Sequence, residues 1–334
     1  MNYENLKLEK GMYAVPGKSF SQVLSSLDPD ENYKETSLEG LDAFGRQLKR
    51  FDIRVNGMGS DCVSKFFQTS SSAALFPEYV SRAVKQGMEE ADALKDIVAT
   101  VTKIDSLDYR SISSVPTEDE KELKDVAEGA FIPETNIRTN ESLVKLSKRG
   151  RMLVASYEAL KYQRLDLFTV TLKQIGAYIA RSQMSDAVNV LLNGDGNGNA
   201  AENIAMSGSE IAYSDLIKLY NSLDPYKLNT VIASPKMTEA LLMLDEFKNP
   251  LSGFNFQGTG EVGTPLGAKF IRSSTAPETG IIGLDKNCAL EMVVASDVSV
   301  DYDKLIDRQL ERAAITSTAG FAKIFADACK TVGV

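Results

Sequence analysis

The chain of 334 residues contains no histidine. This absence excludes Ser-His and Cys-His nucleophile pairs, the H-E-x-x-H metal helix and acid–base catalysis by imidazole. An enzyme built on this sequence would have to use carboxylates, lysines or a bound cofactor.

Cysteine is also scarce, with Cys62, Cys288 and Cys329 far apart in the sequence. An odd number of cysteines without a C-x-x-C pair does not indicate a disulfide framework. We therefore expect these residues to be small apolar side chains in the core rather than reactive thiols.

Long apolar runs are missing as well. No stretch approaches the ~20 residues of a membrane-spanning helix, and the acidic, polar start of the chain is unlike a signal peptide. We expect a protein that is made in the cytosol and has no membrane partner. The net charge of −9 argues against a dedicated nucleic-acid-binding protein, but it is compatible with a protein that lies near DNA without adhering to it.

Three segments resemble chemical motifs, and each fails on spacing or context. Asp195–Asn199 begins like a calcium loop, but Ala200 and Met206 stand where glycine and a bidentate glutamate are required, so we expect a flexible turn. Residues 263–269 lack the spacing of a phosphate loop, and the S-x-x-K spacing at 142–145 lies in a predicted strand. The sequence thus predicts no catalytic, cofactor-binding or metal site, and no enzyme.

The first 75 residues alternate polar turns with short apolar pieces and do not resemble a compact domain. Apolar residues at helical spacing predict one clear helix, with Ser37 as its N-cap: Leu41, Phe44, Leu48 and Phe51. The opposite face of this helix is basic: Arg46, Lys49, Arg50 and Arg54. We interpret this face as solvated, and contact with DNA or an acidic partner is the alternative. A second helix is predicted to begin at Phe76-Pro77 and to end at Gly87.

One very long amphipathic helix is predicted over Leu165–Asn193, with a length of about 40 Å and a stop at Asn193-Gly194. Its apolar stripe comprises Phe168, Leu172, Ile175, Ile179, Ala187, Val188 and Leu191. A basic strand precedes it at Leu143–Val154, and another strand is predicted at Ile97–Ile104. Because a long polar insertion separates these strands, we expect them to form a projecting hairpin, which could not bury its apolar face alone.

The rest of the chain alternates short helices and strands. Helices are predicted at Ser214–Tyr220 and Lys236–Phe247, the second beginning at Ser234-Pro235. Strands are predicted at Asn229–Ala233, Ala268–Arg272, Gly280–Leu284 and Ala289–Val294. The tail is predicted to be extended over Val298–Asp303 and Gln309–Val332, with a corner at Gly320.

The order of these elements is more specific than any single motif. The segments in question are Leu75-Phe-Pro-Glu-Tyr-Val80, Leu191-Leu-Asn-Gly194, Tyr213-Ser-Asp-Leu-Ile217, Leu223-Asp-Pro225, Ile232-Ala-Ser-Pro235 and Gly263-Thr-Pro-Leu-Gly267. In this order they resemble the major capsid proteins of tailed bacteriophages, which have the Hong Kong-type capsid fold. The resemblance extends from residue 70 or so to the end of the chain.

The resemblance implies an α+β fold in four parts. Residues 1–75 would form an N-terminal arm, and residues 96–155 an extended hairpin, the E-loop. Residues 76–95, 156–205 and 290–334 would form a peripheral domain with the long helix as its spine. Residues 206–289 would form an axial α/β domain, in which 249–267 is the candidate inner loop.

The resemblance also implies a function. The chain would be a major capsid protein that forms pentamers and hexamers of an icosahedral shell around double-stranded phage DNA. Implied partners are other copies of the chain, a portal, and a scaffolding protein that is separate because the leader is short; DNA would be bound only non-specifically, and no cofactor is implied. The protein would be assembled in the host cytoplasm and end in the virion. An encapsulin, a cellular shell protein of the same fold, is the alternative, and a carboxylate-based hydrolase is a third.

Opposite charges within the implied E-loop indicate contacts between subunits. A capping box at residues 117–120 predicts a short charged helix, whose acidic residues are Glu118, Asp119, Glu120 and Glu122. The basic residues of the following strand are Lys148, Arg149 and Arg151. We predict that the two groups pair between subunits, although a single exposed pair contributes little.

Some relatives join an E-loop lysine to a distant asparagine with the help of a glutamate. Lys121 and Lys124 could supply the amine here, but no asparagine follows Asn287. No such cross-link is therefore expected.

Overall fold

The computed structural model describes residues 3–15, 17–106, 108–113, 125–131, 138–249 and 265–334. The chain divides into two compact units. Unit 1 comprises Met1–Ala91, Arg149–Ala180 and Val298–Ser317, and unit 2 comprises Asp92–Lys148, Arg181–Asp297 and Thr318–Val334. The predicted division into arm, E-loop, peripheral and axial parts stays a prediction.

Helices and strands are mixed along the chain, as predicted. The helices are α1 (Phe20–Leu27), α2 (Ala43–Arg50), α3 (Ser70–Ala73), α4 (Phe76–Glu90), α5 (Tyr157–Tyr162), α6 (Leu165–Asn193), α7 (Tyr213–Ser222), α8 (Pro235–Leu242) and α9 (Asp245–Lys248). The strands are β1 (Thr100–Lys103), β2 (Ile112–Ser113), β3 (Arg138–Thr139), β4 (Leu146–Ser156), β5 (Glu202–Ile204), β6 (Thr230–Ala233), β7 (Lys269–Arg272), β8 (Ile281–Leu284), β9 (Leu290–Leu305), β10 (Leu310–Lys323) and β11 (Cys329–Val332).

The N-terminal segment is packed into unit 1. Leu6, Leu8, Phe20 and Leu24 are each at most 5% exposed, and they belong to the same core cluster as Leu172 of α6. These N-terminal residues therefore belong to a core that they share with the rest of unit 1, which the sequence did not indicate. Each short helix supplies only a few apolar side chains, and these meet only in the folded chain, so their local spacing does not reveal the core.

Arg46 is a second correction in this segment. Its side chain is fully buried, with Nε 2.6 Å from Oδ2 of Asp28 and a terminal nitrogen 2.9 Å from Oδ1 of Asp30. The guanidinium carbon lies 4.3 Å from the ring centre of Tyr33. The prediction of a solvated face is wrong at this residue, because its carboxylate partner lies 18 positions earlier in the chain. The predicted N-cap, Ser37, is also wrong. The N-cap of α2 is Asp42, whose carboxylate accepts a hydrogen bond from the backbone N–H of Gly45.

Helices α4 and α6 approach each other through two glycines. A Cβ atom on Gly87 would lie 2.1 Å from the carbonyl oxygen of Lys173, and one on Gly176 would lie 2.0 Å from that of Val84. The predicted helix start at Phe76 is confirmed. The predicted end at Gly87 is wrong, because this glycine serves a helix crossing and α4 continues to Glu90.

The long helix α6 has the predicted bounds. All seven residues of its predicted apolar stripe are at most 7% exposed. Gly194 follows with φ +81°, a conformation that favours glycine and ends the helix. The 3.6-residue period was therefore sufficient to define this element.

Unit 2 contains a five-stranded sheet with the order β5-β11-β8-β6-β7. Every residue of β6 and β8 is buried, and the helix after β6 begins with Pro235 and with the hydroxyl of Ser234 as its cap. The strands predicted around β6, β7 and β8 and the helix around α7 are confirmed. The predicted helix from Lys236 to Phe247 is divided into α8 and α9.

The strands that flank the long insertion do not pair with each other. The second sheet has the order β1-β9-β10-β4, so β1 and β4 lie at its opposite edges. The short β2–β3 ladder joins the two limbs of the insertion instead. The predicted hairpin of residues 97–104 with 143–154 is wrong in its pairing, because the long C-terminal strands lie between its two members.

The first of the C-terminal strands is longer than predicted, and the extended tail predicted over Gln309–Val332 is divided into β10 and β11. Strand β9 is continuous over 16 residues, and β10 passes through Gly320 without a corner. A Cβ atom on Gly320 would lie 2.6 Å from the carbonyl oxygen of Lys145. This glycine therefore permits a close approach of two chain segments, and the predicted corner is wrong.

Candidate inter-subunit surface

The three basic residues predicted to contact a neighbouring subunit lie on β4. Lys148 and Arg151 are exposed, and Arg149 is half-buried. Because side chains alternate between the two faces of a strand, Lys148 lies on one face and both arginines lie on the other. The acidic residues predicted to pair with them fall, with their predicted helix, outside the described residues: Glu118, Asp119, Glu120 and Glu122.

The face that bears the arginines continues into the core of unit 1. Leu153 and Ala155 follow on this face and pack against the core cluster. The guanidinium carbon of Arg151 lies 5.8 Å from the ring centre of Tyr178, which is within the range of a cation–π contact. The opposite face presents Met152 and Val154, which are 52% and 51% exposed.

Strand β4 lies at an edge of its sheet, next to β10. A Cβ atom on Gly150 would lie 2.6 Å from the carbonyl oxygen of Ile315, so this glycine lets the two strands lie close together. An exposed edge strand can pair with another chain, and charged side chains limit such pairing. The basic residues of β4 therefore have two possible effects, attraction of an acidic partner and protection of the edge.

Helix α6 carries a second apolar stripe that the sequence interpretation missed. Leu167, Val170 and Tyr178 are 60%, 62% and 43% exposed, and their spacing places them on the solvent face of its N-terminal half. A helix on the surface of a monomer usually has a polar outer face. The signal was present in the sequence, as a second set of apolar residues displaced from the core stripe.

The described residues 125–131 of the insertion are also exposed. Every residue from Asp125 to Ala130 is exposed, as is Phe131 at 102% of its reference surface. Val126 is 43% exposed, and Glu128 adds to the acidic character of this segment.

The loop that follows α6 is held by side chains. Asp195 accepts from the backbone N–H of Lys323 at 3.0 Å, and the Lys323 ammonium donates to the carbonyl oxygen of Asn199 at 2.8 Å. The Asn197 amide oxygen accepts from the N–H of Ser142 at 3.0 Å. The predicted turn is confirmed, but its predicted flexibility is wrong, because these bonds fix it to β10 and to the insertion. Burial lowers the pKa of Lys323.

Groups suited to chemistry are not assembled in the described part of the chain. Burial raises the pKa of Cys329 to about 11, and burial together with Asp285 raises that of Cys288, so neither thiol is activated. Within the described ranges, no cluster of three acidic, cysteine or histidine side chains is placed to hold a metal ion. None of the described helices is long and apolar enough to span a membrane.

The sequence matches the model of a known protein family over more than half of its length. The model of a family described as "Phage capsid protein" matches residues 139–324. No curated protein sequence matches the chain.

Solved structures of similar fold include the following three. A virus-like particle from Pyrococcus furiosus is 15% identical with a TM-score of 0.53, and the match covers 77% of this chain and 99% of that one. The capsid of a native GTA particle is 14% identical with a TM-score of 0.53, covering 72% and 90%. The SrpI encapsulin of Synechococcus elongatus PCC 7942 is 14% identical with a TM-score of 0.50, covering 70% and 84%. The predicted capsid fold is thereby confirmed.

Proposed function

Since the chain belongs to the phage capsid protein family, we propose that it is the major capsid protein of a tailed phage, assembling into pentamers and hexamers of an icosahedral shell that encloses double-stranded DNA. The family match over residues 139–324 carries this proposal. That segment includes β4, α6 and most of unit 2. Membership of this family by itself gives the role of a capsid shell protein.

A structural role rather than an enzymatic one fits the chemistry of the described residues. The thiols with raised pKa values are protonated at neutral pH, and the chain contains no histidine. The buried carboxylate of Asp215 accepts hydrogen bonds from Ser207 and from the N–H of Ala212. Such groups stabilise the fold, and they are not arranged around a shared cavity as a catalytic site requires.

Self-association is supported by apolar surface that a single chain leaves in water. Leu167 and Val170 on α6, Met152 and Val154 on β4, and Phe131 in the insertion are all at least half exposed. Burial of such side chains is the main favourable contribution to association. We assign these surfaces to contacts between copies of the chain, and the charge pairing predicted between the acidic helix and β4 to the orientation of those contacts.

The remaining partners follow from this role. We propose a separate scaffolding protein and a portal as assembly partners, with assembly in the host cytoplasm and the virion as the final location. DNA would be enclosed without specific contacts, since the net charge of −9 opposes tight binding to a polyanion.

Electron microscopy of the purified protein tests the proposal. Icosahedral particles large enough for a phage genome, or filled with DNA, would support it. A monomer that persists under all assembly conditions and turns over a substrate would overturn it in favour of an enzyme.

An encapsulin is the second candidate, because one of the similar structures is an encapsulin. Its subunits would form small shells around a protein cargo. The same micrographs separate the two candidates, since small particles with protein density inside would favour the encapsulin. Mass spectrometry of the particle contents would then identify the cargo.

A further inference from the structure

Beside the β1–β9 ladder, a buried carboxylate of β9 also joins the root of the insertion to this strand. Glu291 is 5% exposed and accepts hydrogen bonds from three hydroxyl groups, those of Thr102, Tyr109 and Ser111. The Tyr109 oxygen lies 2.8 Å from Oε1 of Glu291. All three donors belong to the outgoing limb, by which we mean the described residues between 100 and 113.

Two of these donors also hold the returning limb, residues 138–146. The carbonyl oxygen of Tyr109 accepts from the N–H of Val144, and that of Ser111 accepts from the N–H of Asn140, both at 2.9 Å. Tyr109 and Ser111 therefore contact Glu291 through their side chains and the returning limb through their backbones. A single carboxylate is linked in this way to both limbs.

We propose that Glu291 is a positioning residue that fixes the direction of the insertion, so that its tip meets a neighbouring subunit. The assembly part of this inference rests on the proposed function. A buried carboxylate is costly unless it is fully hydrogen-bonded, so the limb conformation that supplies all three hydroxyls is favoured over others. Loss of the carboxylate removes the side-chain link that the two limbs share, while the β1–β9 ladder still holds residues 100–103.

Asp285 provides a matched control. It is a buried carboxylate of the same unit, 6% exposed, and it accepts from the N–H of Lys227 at 3.0 Å and from the side-chain amide of Asn229 at 2.7 Å. These partners lie outside the two limbs. Glu291→Gln and Asp285→Asn remove the same kind of charge, but only the first touches the insertion.

Hydrogen–deuterium exchange of the full chain, with all variants in the same assembly state, tests the anchor. We expect Glu291→Gln to speed amide exchange in the two limbs about tenfold or more, as for the loss of one charged hydrogen bond, and Asp285→Asn to leave it unchanged. Tyr109→Phe keeps the ring packed against the cluster that contains Val144 and removes one hydroxyl. We expect it to give a smaller increase in the exchange rate. It also keeps the test valid if Glu291→Gln does not fold. Equal limb exchange in all variants would overturn the anchor.

Particle yield tests the consequence for assembly. We expect Glu291→Gln to lower the yield relative to Asp285→Asn. Faster limb exchange with an unchanged yield would overturn the positioning role. If the wild-type chain forms no particles, the proposed function fails, whereas the exchange result still decides whether Glu291 anchors the limbs.

Discussion

At the scale of single residues, Gly87 decides whether α4 and α6 can cross. Helix propensity alone would make Gly87→Ala stabilising by about 1 kcal/mol. The added Cβ would however lie 2.1 Å from a backbone oxygen, and backbone cannot move aside as a flexible side chain can. We expect Gly87→Ala to lower the free energy of unfolding by about 1–3 kcal/mol, measured by chemical denaturation.

Gly11→Ala is the control for this prediction, because a Cβ atom at Gly11 would meet nothing within 4 Å. We expect that variant to change stability by no more than about 0.5 kcal/mol. If both variants are as stable as the wild type, the close helix crossing is not present in solution.

Lys323 makes stability depend on pH. Its side chain is fully buried, and burial lowers its pKa below the ordinary value of 10.5. Below the folded-state pKa both folded and unfolded chains hold the proton, so the cost of the buried charge is fully present. Between the lowered pKa and 10.5 the unfolded chain binds more protons, so stability rises with pH in that window.

Lys323→Met removes this dependence. We expect the wild type to gain stability relative to Lys323→Met as pH rises toward 10.5, because the buried charge is lost from the wild type alone. Denaturant midpoints of both proteins at several pH values measure the difference. Lys236→Met, at an exposed site on α8, is the control, and a Lys323 difference that is constant with pH would contradict the prediction.

At the scale of elements, β4 is an edge strand with basic residues on both faces. The face that bears the two arginines continues into the core. We expect the double variant Arg149→Glu with Arg151→Glu to reduce particle yield strongly, because it reverses the charge offered to an acidic partner. Lys148→Glu tests the opposite face of the strand separately. Particle yield by sedimentation and electron microscopy, with circular dichroism as a check of folding, is the measurement.

Lys236→Glu reverses one charge at an exposed position on α8. This is half the net change of the double variant, and it serves as the control for a charge reversal away from β4. Unchanged particle yield in the double arginine variant would eliminate the predicted pairing. Aggregation before assembly would instead indicate that the arginines protect the edge of β4.

Elements with a local signal were predictable from the sequence, and their partners were not. The 3.6-residue period of α6 and the Ser234-Pro235 start of α8 depend on neighbours within one or two turns. The pairing of β4 with β10 joins segments more than 150 residues apart. Nothing in either strand alone specifies that partner, and a hairpin of the two nearer strands was the simpler but incorrect choice.

In the candidate inter-subunit surface, too, the local features were predictable and the distant partners were not. The basic character of β4 was visible in the sequence, but its separation into two faces became clear only with the strand register. The three hydroxyls on Glu291 come from residues 180 to 189 positions away, so no local pattern could indicate them. In the sequence, Gly87 looks like a helix end and Gly320 like a corner, and Gly150 lies within a predicted strand. Each of them permits a close backbone approach.

At the scale of the whole molecule, the net charge of −9 opposes binding to a polyanion such as DNA. Lys/Arg contacts with phosphates release counterions and supply most of the non-specific affinity of DNA-binding proteins, whose Kd values are about 10⁻⁴–10⁻⁶ M at physiological salt. If the chain encloses DNA as proposed, its overall negative charge opposes tight adhesion of that DNA. We therefore expect the unassembled subunit to bind duplex DNA more weakly than this range, as measured by fluorescence anisotropy of a labelled duplex over a series of salt concentrations.

The double arginine variant of β4 makes this test specific. If Arg149 and Arg151 contact another subunit, their reversal to glutamate changes particle yield and leaves the already weak DNA affinity unchanged. If they contact DNA, wild-type binding is measurable, weakens with salt, and is lost in the variant. That second outcome would reassign the basic strand from assembly to the enclosed genome.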